Sequence, residues 1–279
     1  MKILILGLGH VGKALAERWV AAGHTVVGTT TTPGKVEALE KIASEVHVLK
    51  GEEGEKVARA AEGCDVVIAT VAPAFQTART PEEREATYRA ALVDTCTNAA
   101  ATGARVIFLS SFSVYGDGGT GADPISEQTP TSNHEEPSSK YYQLAEKEVL
   151  AKGGTVLRLP DIYGAPGDQS FEDRVKLAHK FMGGKVPFGP NAPLYRIHFQ
   201  DVVEATDHAL KNGLTGVFNV CDNDDLPETN KQIFDALADK AGVDRLVFLD
   251  QIKAPNRKIS AQKLYDTGYR VTHSKQAIV

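Results

Sequence analysis

Five residues, Lys2-Ile3-Leu4-Ile5-Leu6, run directly into Gly7-Leu8-Gly9-His10-Val11-Gly12, and an amphipathic stretch follows without a break. Three glycines at this spacing constrain the chain more than any other feature. Gly7 lets a strand turn sharply. Gly9 lets a ligand approach the backbone with no Cβ in the way, and Gly12 lets the next helix pack closely on the strand. The stretch that follows has a helical period, with Val11, Ala14, Leu15, Arg18 and Trp19 on one face and the Arg18 stem flanking the apolar stripe. A helix entered in this way offers unpaired N–H groups and a partial positive charge at its start. The motif therefore predicts a pyrophosphate seat built by Gly7, Gly9, His10, Val11 and Gly12. The plainer reading is a strand-to-helix turn that holds no ligand.

Further strands are expected at Thr25–Gly28, Val46–Leu49, Asp65–Val71 and Arg105–Ser110. Each is almost wholly apolar, as in a parallel sheet covered on both faces. A helical pattern runs over Pro81–Ala101, where Thr80-Pro81-Glu82-Glu83 makes a capped, acidic start. A second runs over Ser138–Lys152 and leads into a strand at Thr155–Leu159. Later helices are expected at Asp201–Lys211, with Asp201 as its N-cap, and at Glu228–Ala241, with a strand at Gly216–Val220 between them. This alternation reads as an α/β fold, a Rossmann-type doubly wound parallel sheet with a smaller C-terminal α/β substrate lobe. The expected division is a dinucleotide-binding domain over 1–165 and the substrate lobe over 166–279, with 195–225 packing back on the first domain. Glycine and proline crowd residues 160–193, which read as loop-rich. The loop Gly116–Pro137 reads as a mobile lid or, equally, as a solvated surface loop.

Composition narrows the function classes. Apolar residues make up 42% and charged residues 24%, the balance of a chain with a core rather than a disordered one. The formal charge of −5 comes with no basic stripe, which argues against a nucleic-acid partner. No apolar run reaches the ~20 residues that cross a bilayer. Cys64, Cys96 and Cys221 have neither paired nor metal-type spacing, so no metal site is expected, and a reducing, cytoplasmic setting is.

The end of the second strand bears on the cofactor. A site selective for NAD carries Asp or Glu about twenty residues beyond the glycines, to accept from the ribose 2′-OH. Here the segment is Val27-Gly28-Thr29-Thr30-Thr31-Thr32-Pro33-Gly34-Lys35, which has no carboxylate. Thr29, Thr30 and Lys35 are expected to receive a 2′-phosphate, which favours NADP(H) over NAD. The alternative is that the threonines only make a turn.

The fifth strand closes in Ser110-Ser111-Phe112-Ser113-Val114-Tyr115-Gly116. Further on stand Leu157-Arg158-Leu159-Pro160-Asp161-Ile162-Tyr163-Gly164 and Arg196-Ile197-His198-Phe199-Gln200-Asp201-Val202-Val203. Together these segments resemble the extended short-chain dehydrogenase/reductase superfamily, in its NAD-dependent epimerase/dehydratase group, and the likeness covers most of the chain. The resemblance implies that Ser111 is the catalytic serine that hydrogen-bonds the reacting oxygen. It also implies a Tyr-x-x-x-Lys pair, whose i, i+4 spacing sets the ammonium beside the phenol. The chain departs from that pattern. Tyr141 reaches Ala145 four residues on, Tyr142 reaches Glu146, and Lys147 lies about 140° round the helix from Tyr142. Aligning Ala145-Glu146 with the family's helix puts Ser138 at the tyrosine position and Tyr142 at the lysine position. Tyr141 and Tyr142 remain the candidate proton-transfer residues on that helix.

The tight glycine spacing, and the ending from Asn256-Arg257-Lys258-Ile259-Ser260 to Gly268-Tyr269, are similar to the atypical branch of the superfamily, in which many members bind the cofactor without recognised activity. Two expectations stand side by side. One is an NAD(P)-dependent oxidoreductase or epimerase-like enzyme acting on a small carbonyl, hydroxyl or sugar-type molecule. The other is a catalytically silent NADP(H)-binding sensor or scaffold. Relatives pair through two long helices, here Pro81–Ala101 and Ser138–Lys152, so the resemblance also implies a homodimer.

Overall fold

The computed structural model describes residues 1–74, 78–133, 135–224 and 226–274. In chain order the elements are β1 (Lys2–Leu6), α1 (His10–Ala21), β2 (Thr25–Thr30), α2 (Val36–Leu39), β3 (Glu45–Val48), α3 (Gly54–Ala60), β4 (Val66–Ala69), α4 (Pro81–Tyr88), α5 (Thr95–Ala101), β5 (Arg105–Ser111) and α6 (Pro137–Leu150). There follow β6 (Thr155–Leu159), β7 (Asp161–Tyr163), α7 (Phe171–Met182), β8 (Lys185–Phe188), β9 (Arg196–His198), α8 (Phe199–Lys211), β10 (Gly216–Asn219), α9 (Asn230–Ala241), β11 (Val247–Ile252) and α10 (Gln262–Tyr265). No helix among the described residues is long and apolar enough to cross a membrane.

The chain divides into two compact units. The first comprises residues 1–111, 134–158 and 203–218, and the second 112–133, 159–202 and 219–279. The first unit is organised by a seven-stranded sheet of order β10-β6-β5-β4-β1-β2-β3. The central pairs β4–β1, β1–β2, β2–β3 and β5–β4 are all parallel. Strand order reverses between β1 and β4, and in such sheets the crevice at the carboxyl ends beside that reversal is where nucleotides settle. The expected doubly wound α/β fold is therefore present.

Leu4, Leu6, Val67, Val106, Phe108 and Val156 of the sheet bury against Leu92, Cys96, Ala99, Tyr141, Ala145 and Val149. Each large apolar side chain so buried contributes roughly 1.5–3 kcal/mol. The helical run expected over Pro81–Ala101 is continuous but not uniform. Residues Arg89–Asp94 between α4 and α5 form a π-helical turn, and Thr95 Oγ1 donates to the carbonyl of Ala90. Thr80 caps α4 by accepting from Glu83 N–H, as the sequence implied.

In the second unit, Phe171, Val175 and Ala178 of α7 pack with Ile233, Phe234 and Leu237 of α9. The sequence reads as loop-rich around α7, and the helix forms within that region. Its signal was present: Ser170 and Asp173 form a capping box, and the apolar residues recur at helical spacing behind it. Surrounding glycines and prolines hid it. The loop after Tyr115 is tied to the residues around 258: Ile125 N–H donates to Lys258 O, Ser260 N–H donates to Ile125 O, and the Arg257 guanidinium donates to Gly118 O and Asp123 O. Ile125 is fully buried.

Candidate functional site

Gly7 has φ +101°, a backbone state that L side chains rarely adopt, and it turns the chain out of β1. Two neighbouring strands hold this turn. Gly7 N–H donates to Thr29 Oγ1 at 2.9 Å, and Leu8 N–H donates to Thr29 O at 2.8 Å. Thr70 Oγ1 donates to Gly7 O at 2.6 Å. Gly12 sits so close that a Cβ there would lie 2.2 Å from Gly7 O. At Gly9, by contrast, a Cβ would meet nothing within 4 Å, and Gly9 opens α1 with no side-chain cap. The mouth of α1 is thus uncapped, with clear space in front of it. His10 lies exposed at this mouth, while Val11 is buried beneath it.

At the end of β2 the threonines differ. Thr29 is buried and its hydroxyl is engaged with the glycine turn itself. Thr30 is half-buried, and its Oγ1 accepts from Thr32 N–H at 3.2 Å. Lys35 is exposed in a short 3-10 turn and forms no ion pair among the described residues.

Ser111 is the last residue of β5 and is half-buried. The residue before it belongs to a network that the sequence did not reveal. Ser110 Oγ donates to Glu146 Oε1 at 2.6 Å, and Arg158 spans both oxygens of the same carboxylate, at 3.0 Å through Nε and 2.7 Å through Nη2. All three residues are more than nine-tenths buried. They join β5, α6 and β6 beneath the carboxyl ends of the sheet. A glutamate in mid-helix ordinarily reads as a solvated charge, so no local signal marked Glu146.

On α6, Tyr141 is buried and its hydroxyl donates to Glu85 Oε2 at 3.1 Å. Burial, and then the Glu85 carboxylate, push its phenol above the ordinary value. The Tyr142 ring stacks on Phe108 with centroids 6.1 Å apart, and burial pushes its phenol up as well. Neither tyrosine sits in surroundings that would turn it into a base at neutral pH. Ser138 donates through its hydroxyl and its N–H to the Glu136 carboxylate, which also pairs with Arg84 at 2.9 Å. Lys147 is exposed, and Lys140 pairs with Glu135 at 2.9 Å. Cys64, Cys96 and Cys221 are unpaired; burial raises the thiol pKa of all three.

In the second unit, Tyr115 donates to Asn219 Oδ1 at 2.7 Å, and Asp161 pairs with Arg174. His198 stacks on His273, and burial together with that neighbour lowers its pKa, so it is neutral at pH 7. Asp201 is not an N-cap, because α8 begins at Phe199 and places it inside the first turn. Its fully buried carboxylate instead accepts from the N–H groups of Thr272, His273 and Ser274 and from Ser274 Oγ. Burial alone would raise this carboxyl; the hydrogen bonds from Ser274, Thr272 and His273 outweigh it and hold the pKa below the usual aspartate value.

A folded pKa below the unfolded value of about 3.9 makes a contribution that is complete above about pH 4 and lost as the pH falls through the folded value. Asp201→Asn is therefore expected to cost about 1–3 kcal/mol at pH 7. Denaturant unfolding across pH 3–7 should show that difference shrinking only at the acid end. A gap that stays constant to the lowest pH would contradict the assignment.

A sequence model of the NAD dependent epimerase/dehydratase family matches residues 3–221. No curated protein matches the chain. Among solved structures, the chain is similar to a UDP-glucose 4-epimerase from Thermotoga maritima with UDP-glucose, at TM-score 0.75 and 21% identity, over 98% of this chain and 94% of that one. A short-chain dehydrogenase/reductase superfamily protein from Agrobacterium tumefaciens with bound NAD gives TM-score 0.75 at 19% identity, over 100% and 94%. A dTDP-glucose 4,6-dehydratase from Streptomyces venezuelae, solved with NAD, gives 0.74 at 19%, over 99% and 93%.

Proposed function

Since the chain belongs to the NAD-dependent epimerase/dehydratase family, we propose that it is an NAD(P)-dependent oxidoreductase or epimerase-like enzyme that acts on a small carbonyl, hydroxyl or sugar-type substrate, with NADP(H) favoured over NAD. The observation that carries this reading is the uncapped mouth of α1 at Gly9, with open space before it and the turn behind it clamped by Thr29 and Thr70. A diphosphate seated there is held by backbone N–H groups and by the helix dipole. Gly7, Gly9, His10, Val11 and Gly12 form this seat in the proposal. Thr30 and the exposed Lys35 supply donors and charge for a 2′-phosphate, and Thr29 supports the turn from beneath. When bound, the cofactor supplies or accepts the hydride.

In this reading Ser111 hydrogen-bonds the reacting oxygen. Tyr141 and Tyr142 are the proposed proton-transfer residues on α6, although burial, and for Tyr141 also the Glu85 carboxylate, raises both phenols and weakens them as acids. Residues 166–279, with 195–225 packing back on the first domain, serve as the substrate lobe in this reading. The three unpaired cysteines fit a cytoplasmic setting, and pairing through α4–α5 and α6 would give a homodimer. A second reading, a silent NADP(H)-binding sensor or scaffold, is favoured by one observation. No lysine follows either tyrosine at i+4, and Ser138, at the aligned tyrosine position, is committed to Glu136.

Thermal unfolding during titration with NADPH and, separately, NADH tests the cofactor. At a hundredfold excess over Kd the favoured nucleotide is expected to add about 2.7 kcal/mol of stability. Gly9→Val should remove that gain without lowering the baseline, because its side chain enters open space. No response to either nucleotide, or an unaltered response in Gly9→Val, rejects the proposal. Substrate-dependent oxidation of NADPH in a panel of small carbonyls then separates the enzyme from the silent binder.

A further inference from the structure

A cavity of about 370 Å³ lies wholly within the second unit. Its walls are two stretches of the loop after β5, residues 115–120 and 129–133, together with Arg257. Main-chain hydrogen bonds hold these walls in shape: Gly118 N–H donates to Tyr115 O, Ser132 N–H to Val114 O and Asn256 N–H to Asp117 O. The volume falls within the roughly 300–1,000 Å³ of small-molecule sites. Most of the side chains in the lining are polar, among them Asp117, Thr120, Thr129 and Asn133.

The two charges of the lining decide what it can take. Arg257 is half-buried, and all of its side-chain partners are main-chain carbonyls. A guanidinium carries five N–H donors. The Nε donor and one donor of Nη2 go to Gly118 O, and one donor of Nη1 goes to Asp123 O. One N–H is left on each terminal nitrogen, the pair that a carboxylate takes in a fork. Asp117 immediately precedes Gly118, whose carbonyl Arg257 holds, yet the two side chains form no ion pair. Asp117 Oδ1 accepts from Gly119 N–H at 2.9 Å, and its second oxygen has no partner among the described residues. The cavity therefore presents one cation and one anion that do not neutralise each other directly. A simple anion would meet the Asp117 charge and a simple cation the Arg257 charge, whereas a ligand with both signs satisfies the two together.

We infer that this cavity binds a small zwitterion, an amino acid, whose carboxylate sits on the free fork of Arg257 and whose ammonium sits on Asp117. Thr120, Thr129 and Asn133 then receive a short polar side chain. Asp117 and Arg257 are binding residues here, with no part in bond making. The inference does not rest on the proposed function, because the glycine turn belongs to the first unit and binding in this cavity requires no cofactor.

The test is calorimetric or NMR titration of the full chain, without any pyridine nucleotide, by L-serine, N-acetyl-L-serine and L-serinamide. The first carries both charges, the second only the negative and the third only the positive. Serine should saturate, and each blocked derivative should bind at least about tenfold more weakly, since each loses one charge-assisted contact. Asp117→Asn keeps the oxygen that accepts from Gly119 N–H and removes the charge, so it should weaken serine roughly ten- to hundredfold. Asp117 is exposed, so the variant should unfold as the wild type does. Absence of saturation by serine overturns the inference. So does a blocked derivative that binds as tightly as serine, or wild-type affinity for serine in Asp117→Asn. Because no nucleotide is present, failure here is separate from failure of the NADPH titration.

Discussion

Arg158→Met is expected to lower the free energy of unfolding by about 3–5 kcal/mol, more than any other single change to a polar side chain considered above. The guanidinium spans both oxygens of Glu146 with contacts of 2.7 and 3.0 Å, and both residues are about 95% buried. Removing it takes two donors from a buried carboxylate that still accepts from the Ser110 hydroxyl, a loss that the nearby apolar side chains do not repair. At about 2–4 °C per kcal/mol for chains somewhat shorter than this one, Tm should fall by roughly 6–20 °C. Glu146→Leu should cost a similar amount, through the opposite unpaired charge. The double variant Glu146→Leu/Arg158→Met should recover most of the loss, since an apolar pair of matching volume carries no desolvation cost. Denaturant unfolding of the four proteins measures the coupling directly. Additive losses would show that the two side chains do not act as a pair. The network also bears on the site, because Ser110 anchors the end of β5 and Ser111 is the next residue.

Ser111→Ala is the variant with the largest expected effect on chemistry, a fall in turnover of roughly 10²–10⁴. The substrate for this measurement is any small carbonyl that supports NADPH oxidation by the wild type. KM should change little, since the hydroxyl is assigned to the reacting oxygen and its interaction strengthens in the transition state. Ser111 is half-buried at a strand end, so the unfolding curve should stay close to wild type. Unchanged turnover would take Ser111 out of the mechanism, whereas a matched loss of turnover and stability would make its role structural.

The glycine turn was legible because each glycine answers a local demand. Gly7 needs positive φ, Gly12 needs room against Gly7 O, and Gly9 opens a helix with nothing before it. The strands from β1 to β6 were legible because strands of a covered parallel sheet are mostly apolar, and only their ends shifted by one or two residues. Composition worked against α7, whose caps and period lie among glycines and prolines. The role proposed for the α6 face was legible only in outline. Tyr141 and Tyr142 were recognisable by position, but their partners Glu85 and Phe108 lie on other elements.

A single chain read in order carries backbone geometry and periodicity, because turns, caps and amphipathic faces are settled by residues a few positions apart. By itself it therefore determined the doubly wound sheet and the uncapped helix mouth that is proposed to seat a diphosphate. Which polar groups meet is decided by close packing of remote segments. Thr29 reaches Gly7 across 22 residues, Ser110 reaches Glu146 across 36, and Ser274 reaches Asp201 across 73. Burial then makes each of those meetings matter, since a polar group taken from water must find its partner inside the fold or go without.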